Sequence, residues 1–451
     1  MLTTTGKSHR IHAAHQKYGP VIRVAPNELS FSNPVVARQI YTSKNYVKEK
    51  TFYDSKTIYD KTHLFAHRDV EAHSARRKML SKGFSRASLN DFEQQLAQKV
   101  QHMFDQWSKQ AADGFSVNAF MWSHMLGFDT IYQLMFGEDL RIVETGTPHI
   151  TQSYMRSWRP TFKYKQIFPS MAFWGCYIPG GVGDLFRDVK TWKQISIAHI
   201  KARRASGKIT PYLSQVIDSE DKSLGRPLTD SELAEESMGG MIGGSGTTGN
   251  AFTYLLWACL QDPRVVNALQ TEIDDAFPDL ILTRKNVPPY LVTSKLPYLQ
   301  ATIKETLRLY PTICATLPRT VIADVTLEGT FVPKGVVVGM QNYTIHRDPT
   351  AFPDPESFKP ERWLVKDGNE KLRNQAFTPF SVGSRQCIGS NLAELELTLA
   401  ASAFFLRFDG EIDWSRMKCS DMEMHDTFAG SPISGKLWLK LREKRIEQPL
   451  K

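Results

Sequence analysis

The stretch FSVGSRQCIG, residues 380–389, decides the fold that we expect for this chain. It holds one cysteine, Cys387, with Phe380, Gly383, Arg385 and Gly389 at fixed offsets around it. Glycines let a backbone approach a flat ring, an arginine pairs with a ring carboxylate, and backbone N–H groups directed at a thiolate tune its electron donation. Together the five residues indicate a thiolate that holds haem iron, whereas a lone cysteine in a glycine-rich loop is more often an ordinary buried thiol.

The composition is that of a globular protein with an extensive hydrophobic core. Of the 451 residues, 41% are hydrophobic and 23% are charged, which excludes a disordered chain. No apolar run reaches the ~20 residues that a membrane-spanning helix requires. The cysteines show no CxxC spacing, which argues against a zinc site or a disulfide framework and favours a reducing compartment. They are Cys176, Cys259, Cys314, Cys387 and Cys419.

The formal net charge of +9 suits an acidic protein partner, an anionic lipid surface or a nucleic acid. No segment has a dense Lys/Arg stripe with interleaved aromatic residues, so we expect no nucleic acid as a partner. Arg76, Lys78 and Lys82 lie close in sequence to His73 and Arg77, which are considered below as cofactor contacts. We therefore predict that this basic group docks an acidic electron donor, with an ordinary solvated surface as the alternative.

Hydrophobic periodicity predicts one mostly helical domain with a small β portion that is not contiguous in sequence. Residues 18–34 alternate as two short strands, and residues 325–335 form a hairpin. No Pro/Ser-rich linker, charge block or repeat divides the chain. The clearest helical patterns cover residues 88–110, 117–136 and 391–405, and a further helix opens at Asp262 and Pro263.

Residues 241–249, MIGGSGTTG, fit two different structures. Gly244, Gly246 and Gly249 match GxGxxG, the phosphate-binding loop of dinucleotide folds, which requires a strand just before the glycines. Residues 230–238 instead form a capped, glutamate-rich helical start, so we predict a helix running through the glycines and discard the dinucleotide interpretation. Each glycine destabilises a helix by roughly 1 kcal/mol relative to alanine, which indicates a need for close approach to its backbone.

The motifs taken together resemble the cytochrome P450 superfamily. Glu305 and Arg308 form an ExxR pair, and the PERW run at residues 360–363 and the cysteine stretch follow in the family's order and spacing. The stretches VIRVAPNELSF and AHSARRKML are most similar to filamentous-fungal members. The resemblance covers the chain from about residue 18. It implies a mainly α fold with a small β portion, a single domain over residues 18–451, and an N-terminal segment, residues 1–17, after a missing membrane anchor.

This resemblance also implies the contacts of the cofactor, haem b. Cys387 would be the axial ligand, framed by Phe380 and Gly389, and Gly243 and Gly244 would lie against the ring. A buried network would join the ExxR pair to a second arginine and support the cysteine loop. The propionate contacts implied are His73, Arg77, Arg319 and Arg385, and the members of the network are Glu305, Arg308 and Arg362.

The catalytic residues implied are Thr247 and Thr248. The family pattern is a small residue, Gly, any residue, an acid, then Thr, and Thr247 would relay protons during oxygen activation. The acidic position is Gly246 in this chain, which is a departure from the pattern. Protons would then pass through ordered water, Thr248 or the substrate, and the type of oxidation is left open.

The implied function is insertion of one oxygen atom into a lipophilic small molecule, a fungal secondary metabolite. The electrons would come from NADPH through NADPH–cytochrome P450 reductase, at the cytosolic face of the endoplasmic reticulum membrane. Two alternatives stay open. One is oxidative coupling, desaturation or rearrangement without net oxygen insertion, and the other is a haem-binding protein that does not catalyse a reaction.

Overall fold

Helices form most of the chain, as the long apolar and amphipathic patterns predict. The computed structural model describes residues 6–206, 212–281, 286–426 and 428–444. The α-helices are Lys7–Tyr18, Pro34–Thr42, Lys50–Asp54, Val70–Leu80, Arg86–Ala112, Ala119–Phe136, Ile142–Thr145, Thr151–Ile167, Met171–Trp174, Gly181–Ser206, Leu213–Val216, Asp230–Leu260, Pro263–Ala276, Pro278–Ile281, Tyr290–Thr293, Pro297–Leu309, Asn342–Ile345, Glu370–Ala376 and Ser390–Arg407.

Short strands make up the β portion. The largest sheet has five strands from four distant parts of the chain, in the order Val21–Ala25, Glu28–Phe31, Val337–Gly339, Arg319–Val321 and Tyr46–Lys48. The second and third strands of this order are parallel, and the other pairs are antiparallel. The remaining strands are Val117–Asn118, Glu220–Asp221, Arg226–Pro227, Val325–Leu327, Thr330–Val332, Phe408–Ile412, Met424–Asp426, Gly430–Pro432 and Trp438–Glu443.

The central element is the helix Asp230–Leu260, which runs without interruption through the glycines. Thr229 and Glu232 form a capping box that fixes its start. The helix packs closely on Ala119–Phe136. The closeness is shown at Gly127, where an added Cβ would lie only 2.6 Å from the Ser245 carbonyl oxygen. No strand precedes the glycines directly, so the phosphate-binding loop of a dinucleotide fold is excluded.

The predicted elements are found, with small shifts at their ends. The pattern over residues 88–110 is the helix Arg86–Ala112, and that over residues 391–405 is Ser390–Arg407. The helix expected from residue 117 starts at Ala119, because Val117 and Asn118 pair with Leu439 and Trp438 of another strand. The hydrophobic pattern at the start of a helix cannot reveal such strand pairing, since the partner strand lies about 320 residues later in the chain.

Residues 7–18 form a helix that packs on the domain. Its residues Ile11 and His15 are buried, and the backbone N–H groups of Gly6 and Lys7 donate to Asp426 at 2.9 and 3.2 Å. Within the part of the chain that the structure describes, no helix combines the length and hydrophobicity needed to cross a bilayer.

Candidate active site

The cysteine loop, residues 380–389, holds Cys387 through its backbone. The Cys387 N–H donates to the Phe380 carbonyl at 2.8 Å, and the Gly389 N–H donates to the sulfur. Gly383 has φ 77°, and a Cβ there would lie 2.7 Å from the Tyr41 carbonyl oxygen, so only glycine fits. Burial raises the pKa of the Cys387 thiol, while the Gly389 N–H and the Arg77 charge lower it. The side chain is nevertheless accessible to solvent.

Five basic side chains converge near this loop and form what we call the cationic cluster. Burial lowers the pKa of Arg385 to about 10, with further repulsion from Arg319. Burial also lowers the pKa of His73 to about 2, followed by repulsion from Lys48 and Arg385. Among the described residues, no carboxylate lies within ion-pair distance of these groups. The cluster therefore provides a site for a dianion. Its members are Lys48, His73, Arg77, Arg319 and Arg385.

Hydrogen bonds fix three of these cations. Arg77 Nη1 donates to the Gln386 carbonyl at 2.6 Å, which ties the helix Val70–Leu80 to the cysteine loop. Arg385 donates to three successive carbonyls, those of residues 67–69, at 3.0 to 3.1 Å. Arg319 Nη1 donates to the Tyr53 hydroxyl at 2.7 Å. The sequence-predicted contacts His73, Arg77, Arg319 and Arg385 are thus brought together from three separate segments.

The glycines of the central helix serve two different purposes. A Cβ placed at Gly243 or Gly246 would meet no atom within 4 Å, so these two residues face open space. A Cβ at Gly244 would lie 2.8 Å from the Ile131 side chain. Gly244 therefore allows close packing of Ala119–Phe136, which differs from its predicted place against the ring. The Thr247 hydroxyl donates to the Gly243 carbonyl at 2.6 Å.

Thr248 lies next to a buried carboxyl group that the sequence did not single out. Thr248 and Glu396 are both buried, and the Thr248 hydroxyl hydrogen-bonds the carboxyl group of Glu396. Burial raises the pKa of Glu396 to about 8, and the Thr248 hydroxyl opposes this rise. Oε1 of Glu396 has no hydrogen-bond partner among the described residues. The turn that carries Thr247 and Thr248 therefore has a protonated carboxyl group beside it at neutral pH.

The predicted ion network is present and fully desolvated. Glu305 and Arg308 are 0% exposed and form two hydrogen bonds, at 2.9 and 2.8 Å. Arg362 Nε donates to Glu305 Oε1 at 2.9 Å, and Trp363 Nε1 donates to Oε2 at 3.0 Å. The arginines also bind backbone carbonyls of residues 346–357.

His346 connects this network to the cysteine loop. Its Nδ1 lies 3.1 Å from the Arg308 carbonyl oxygen, and its Nε2 accepts the Thr378 N–H at 3.0 Å. Burial, followed by the Arg308 charge, lowers the pKa of His346 to about 3, so the ring is neutral. The proton must then be on Nδ1, because Nε2 accepts a hydrogen bond. Thr378 lies two residues before Phe380, so the network determines where the loop begins.

Comparison with known proteins identifies the family. The family model described as Cytochrome P450 matches residues 1–437. Benzoate 4-monooxygenase bphA of Aspergillus niger is 30% identical, with 98% of this chain and 90% of that protein aligned. Cytochrome P450 monooxygenase tazI of Aspergillus terreus is 31% identical, with 94% of this chain and 86% of that protein aligned.

The chain belongs to the cytochrome P450 family.

The fold of this cytochrome P450 agrees with solved members. The crystal structure of the cytochrome P450DA heme domain superposes with a TM-score of 0.84 at 20% identity, over 98% of this chain and 94% of that one. The mainly α fold predicted from the sequence is thereby confirmed. Because this family and the named relatives are monooxygenases, the chain is an oxidoreductase of the monooxygenase type.

The residues present fit haem b, the cofactor of this family. An accessible cysteine suits a thiolate ligand of the iron, and the cationic cluster, which has no carboxylate partner among the described residues, suits the two propionates. Gly243 and Gly246 leave open space on the helix face where a flat ring needs it. When bound, haem b supplies the redox chemistry of dioxygen activation. In this cytochrome P450, Cys387 and the cationic cluster would hold the ring. The Gly389 N–H donates to the Cys387 sulfur, and the Gly243 carbonyl positions the Thr247 hydroxyl.

The prediction that Arg76 belongs to an exposed basic docking group is wrong. Arg76 does not face solvent, because its Nε donates to Asp221 at 2.6 Å and its Nη1 donates to Glu236. All three side chains are buried. Lys78 and Lys82 do remain exposed. The partners of Arg76 lie 145 and 160 residues later in the chain, so its spacing to Lys78 gave no sign of them.

Several residues of the site could not be found from the sequence patterns. Lys48 joins the cationic cluster, and Tyr53 contacts it, only because a strand and a short helix fold against Arg319. Glu396 had a usable signal, since it is an acid on the buried face of an otherwise apolar helix. The other residues that were missed are His346 and Trp363.

Proposed function

We propose that this cytochrome P450 inserts one oxygen atom into a lipophilic aromatic small molecule, such as a fungal secondary metabolite. The observation that carries the proposal is an accessible Cys387 in a loop that is hydrogen-bonded to Arg77 of the cationic cluster. A cluster of aromatic rings supports an aromatic substrate, because the ring centre of Phe428 lies 6.2 Å from that of Phe52 and 5.9 Å from that of Phe65. The relative from Aspergillus niger is named for an aromatic substrate, benzoate.

Electrons are proposed to come from NADPH through NADPH–cytochrome P450 reductase, a flavoprotein. The positive net charge and the exposed Lys78 and Lys82 support an acidic docking partner. Arg76 is buried and is not part of this docking surface. Reversing both lysine charges to glutamate should raise the reductase concentration needed for half-maximal turnover by about tenfold at low salt. An unchanged requirement would refute docking at this face.

Attachment to the cytosolic face of the endoplasmic reticulum membrane is also proposed. Four aromatic side chains on one continuous segment are exposed by 59% to 77% of their surface and form a surface that suits lipid. They are Phe168, Phe173, Trp174 and Tyr177. Flotation with endoplasmic-reticulum-like vesicles should fall when Phe173 and Trp174 are both replaced by serine, and equal flotation would refute this surface.

A second outcome is coupling, desaturation or rearrangement without net oxygen insertion. It is motivated by Gly246, which stands where the family pattern has an acid. The open space at Gly246 means that packing does not exclude an acidic side chain there. The proposed difference from the family pattern is therefore in proton supply rather than in shape. The buried carboxyl group next to this turn is that of Glu396, which is hydrogen-bonded to Thr248.

Turnover in isotopically labelled dioxygen tests both outcomes. The holoenzyme is combined with NADPH and a fungal reductase, and products of an aromatic panel are analysed by mass spectrometry. Oxygen insertion predicts one labelled atom in each product. An oxidised product that carries no label would establish the second outcome, and a protein that takes up no haem would refute the proposed function as a whole.

A further inference from the structure

A lysine that has no partner among the described residues is buried among aromatic rings. Lys56 is 1% exposed, and its Nζ has no hydrogen-bond partner among the described residues. No carboxylate in the described ranges forms an ion pair with it. An ammonium group removed from water is normally paired or hydrogen-bonded, so an unpaired one requires an explanation.

Three rings from three elements surround the Lys56 ammonium group. Its Nζ lies 3.0 Å from the ring centre of Phe162 and 4.4 Å from those of Phe52 and Phe428. Ring faces attract a cation but carry no net charge, so they leave its positive charge unneutralised. We call Lys56 and these three rings the lysine cage.

The lysine cage is attached to the central helix on both sides of Gly243 and Thr247. Backbone N–H groups of Ile58 and Tyr59 donate to Glu235 at 2.7 and 2.9 Å. On the other side, Asn250 Nδ2 donates to the Gly430 carbonyl at 3.0 Å, two residues after Phe428. The segments that carry Lys56 and Phe428 are therefore fixed to the central helix on either side of the candidate catalytic residues.

The surroundings of the lysine cage add positive rather than negative charge. Lys165 lies near enough to repel Lys56, and its own Nζ is already bound to the carbonyls of Thr57 and Ile58. Glu235 is paired with Lys193 at 2.9 Å and is not available to Lys56. Burial, followed by repulsion from Lys165, lowers the pKa of Lys56 well below its usual range. A ligand carboxylate would remove this repulsion and supply the missing partner.

We infer that the lysine cage binds the carboxylate of an aromatic acid, with Lys56 pairing to the anion and the three rings packing on its aromatic body. The inference rests on the proposed function and narrows its substrate class from lipophilic aromatics to aromatic acids. Lys56 is a specificity residue in this assignment. It contacts the substrate end remote from the reacting carbon and fixes which carbon faces the site.

Equilibrium binding of a matched pair of ligands tests this directly. Naphthalene-2-carboxylic acid and its methyl ester share the ring system and differ in charge. Their dissociation constants are measured on the holoenzyme by titration calorimetry and by the shift of the haem absorption band. The wild-type protein should bind the acid about tenfold or more tightly than the ester.

Variants then test whether Lys56 causes the preference for the acid over the ester. Lys56→Met should weaken binding of the acid by about tenfold or more and leave binding of the ester within about twofold, and Lys56→Arg should keep the preference in part. Lys163→Met is the matched control, since Lys163 is exposed on the same helix as Phe162 and should change neither ligand.

Two results would overturn the inference. One is a wild-type protein that binds the ester as tightly as the acid, and this comparison needs no variant to fold. The other is a Lys56→Met protein whose affinity for the acid is unchanged. If the protein takes up haem and shows a thiolate spectrum, either result refutes the role inferred for the lysine cage and leaves the proposed function in place. Failure to take up haem refutes the proposed function, while calorimetry still decides whether Lys56 sets the preference for the acid.

Discussion

The helix that carries Thr247 fixes its hydroxyl group with the oxygen available as an acceptor. Its Oγ1 donates to the Gly243 carbonyl at 2.6 Å, so its lone pairs face the open space beside Gly243 and Gly246. With glycine at the acidic position, Thr247 is the polar side chain on this face of the turn, while Thr248 is buried against Glu396. We therefore propose that the Thr247 hydroxyl passes protons to the cofactor side.

Replacement of Thr247 by alanine should separate electron consumption from product formation. NADPH use should continue, while the fraction recovered as product should fall by about tenfold and hydrogen peroxide should rise in proportion. Thr247→Ser keeps the hydroxyl and should restore most of the coupling. Equal coupling in the alanine variant and the wild type would remove Thr247 from the proton path.

At the scale of elements, the ion network joins the helix Pro297–Leu309 to the segment that leads into the cysteine loop. Glu305 accepts from Arg308, Arg362 and Trp363, and His346 continues the contacts to Thr378. All of these charges are removed from water, so their geometry stabilises the fold only while every partner is present.

Removing one arginine should therefore destabilise the protein strongly. Arg362→Met should lower the free energy of unfolding by about 3–5 kcal/mol and increase the rate of haem loss. Lys359→Met is the control, because Lys359 forms an exposed pair with Asp354 that contributes about 1 kcal/mol or less. Chemical denaturation gives both values, and equal losses in the two variants would show that the network contributes no more than a surface pair.

Glu396 makes the contact between the helix Ser390–Arg407 and the central helix dependent on pH. The folded protein keeps the Glu396 proton up to a pKa of about 8, whereas an unperturbed glutamate loses it near 4.5. The stabilising contribution of this group is thus complete below pH 4.5 and is lost as the pH rises to about 8.

Glu396→Gln should remove this dependence. Relative to the variant, the wild-type free energy of unfolding should fall by up to roughly 1.4 kcal/mol per pH unit across that window. Glu394→Gln, a change at a half-exposed residue on the same helix, should leave the wild-type profile in place. Parallel profiles for wild type and Glu396→Gln would mean that Glu396 is ionised in the folded protein.

At the scale of the whole molecule, the sequence predicts the elements with dense local patterns and misses contacts between distant segments. The cysteine loop and the helix through the glycines are set by residues close in sequence, so their patterns could be recognised. The role of Gly244 could not, because it depends on Ile131 of another helix. Arg76 and Lys56 look alike in sequence, as basic residues with no acidic residue directly beside them. Only the fold shows that Arg76 has two carboxylate partners and that Lys56 has none among the described residues.

The central claim is that the Cys387 sulfur is the ligand of haem iron and that the rest of the fold supports this bond. The absorption spectrum of the reduced protein under carbon monoxide tests it most directly, because a thiolate ligand shifts the main haem band to longer wavelength. We predict the shifted band for the wild type and for Cys419→Ser, which changes an exposed cysteine, and its loss in Cys387→Ser. A Cys387→Ser protein that keeps the shifted band would contradict the account.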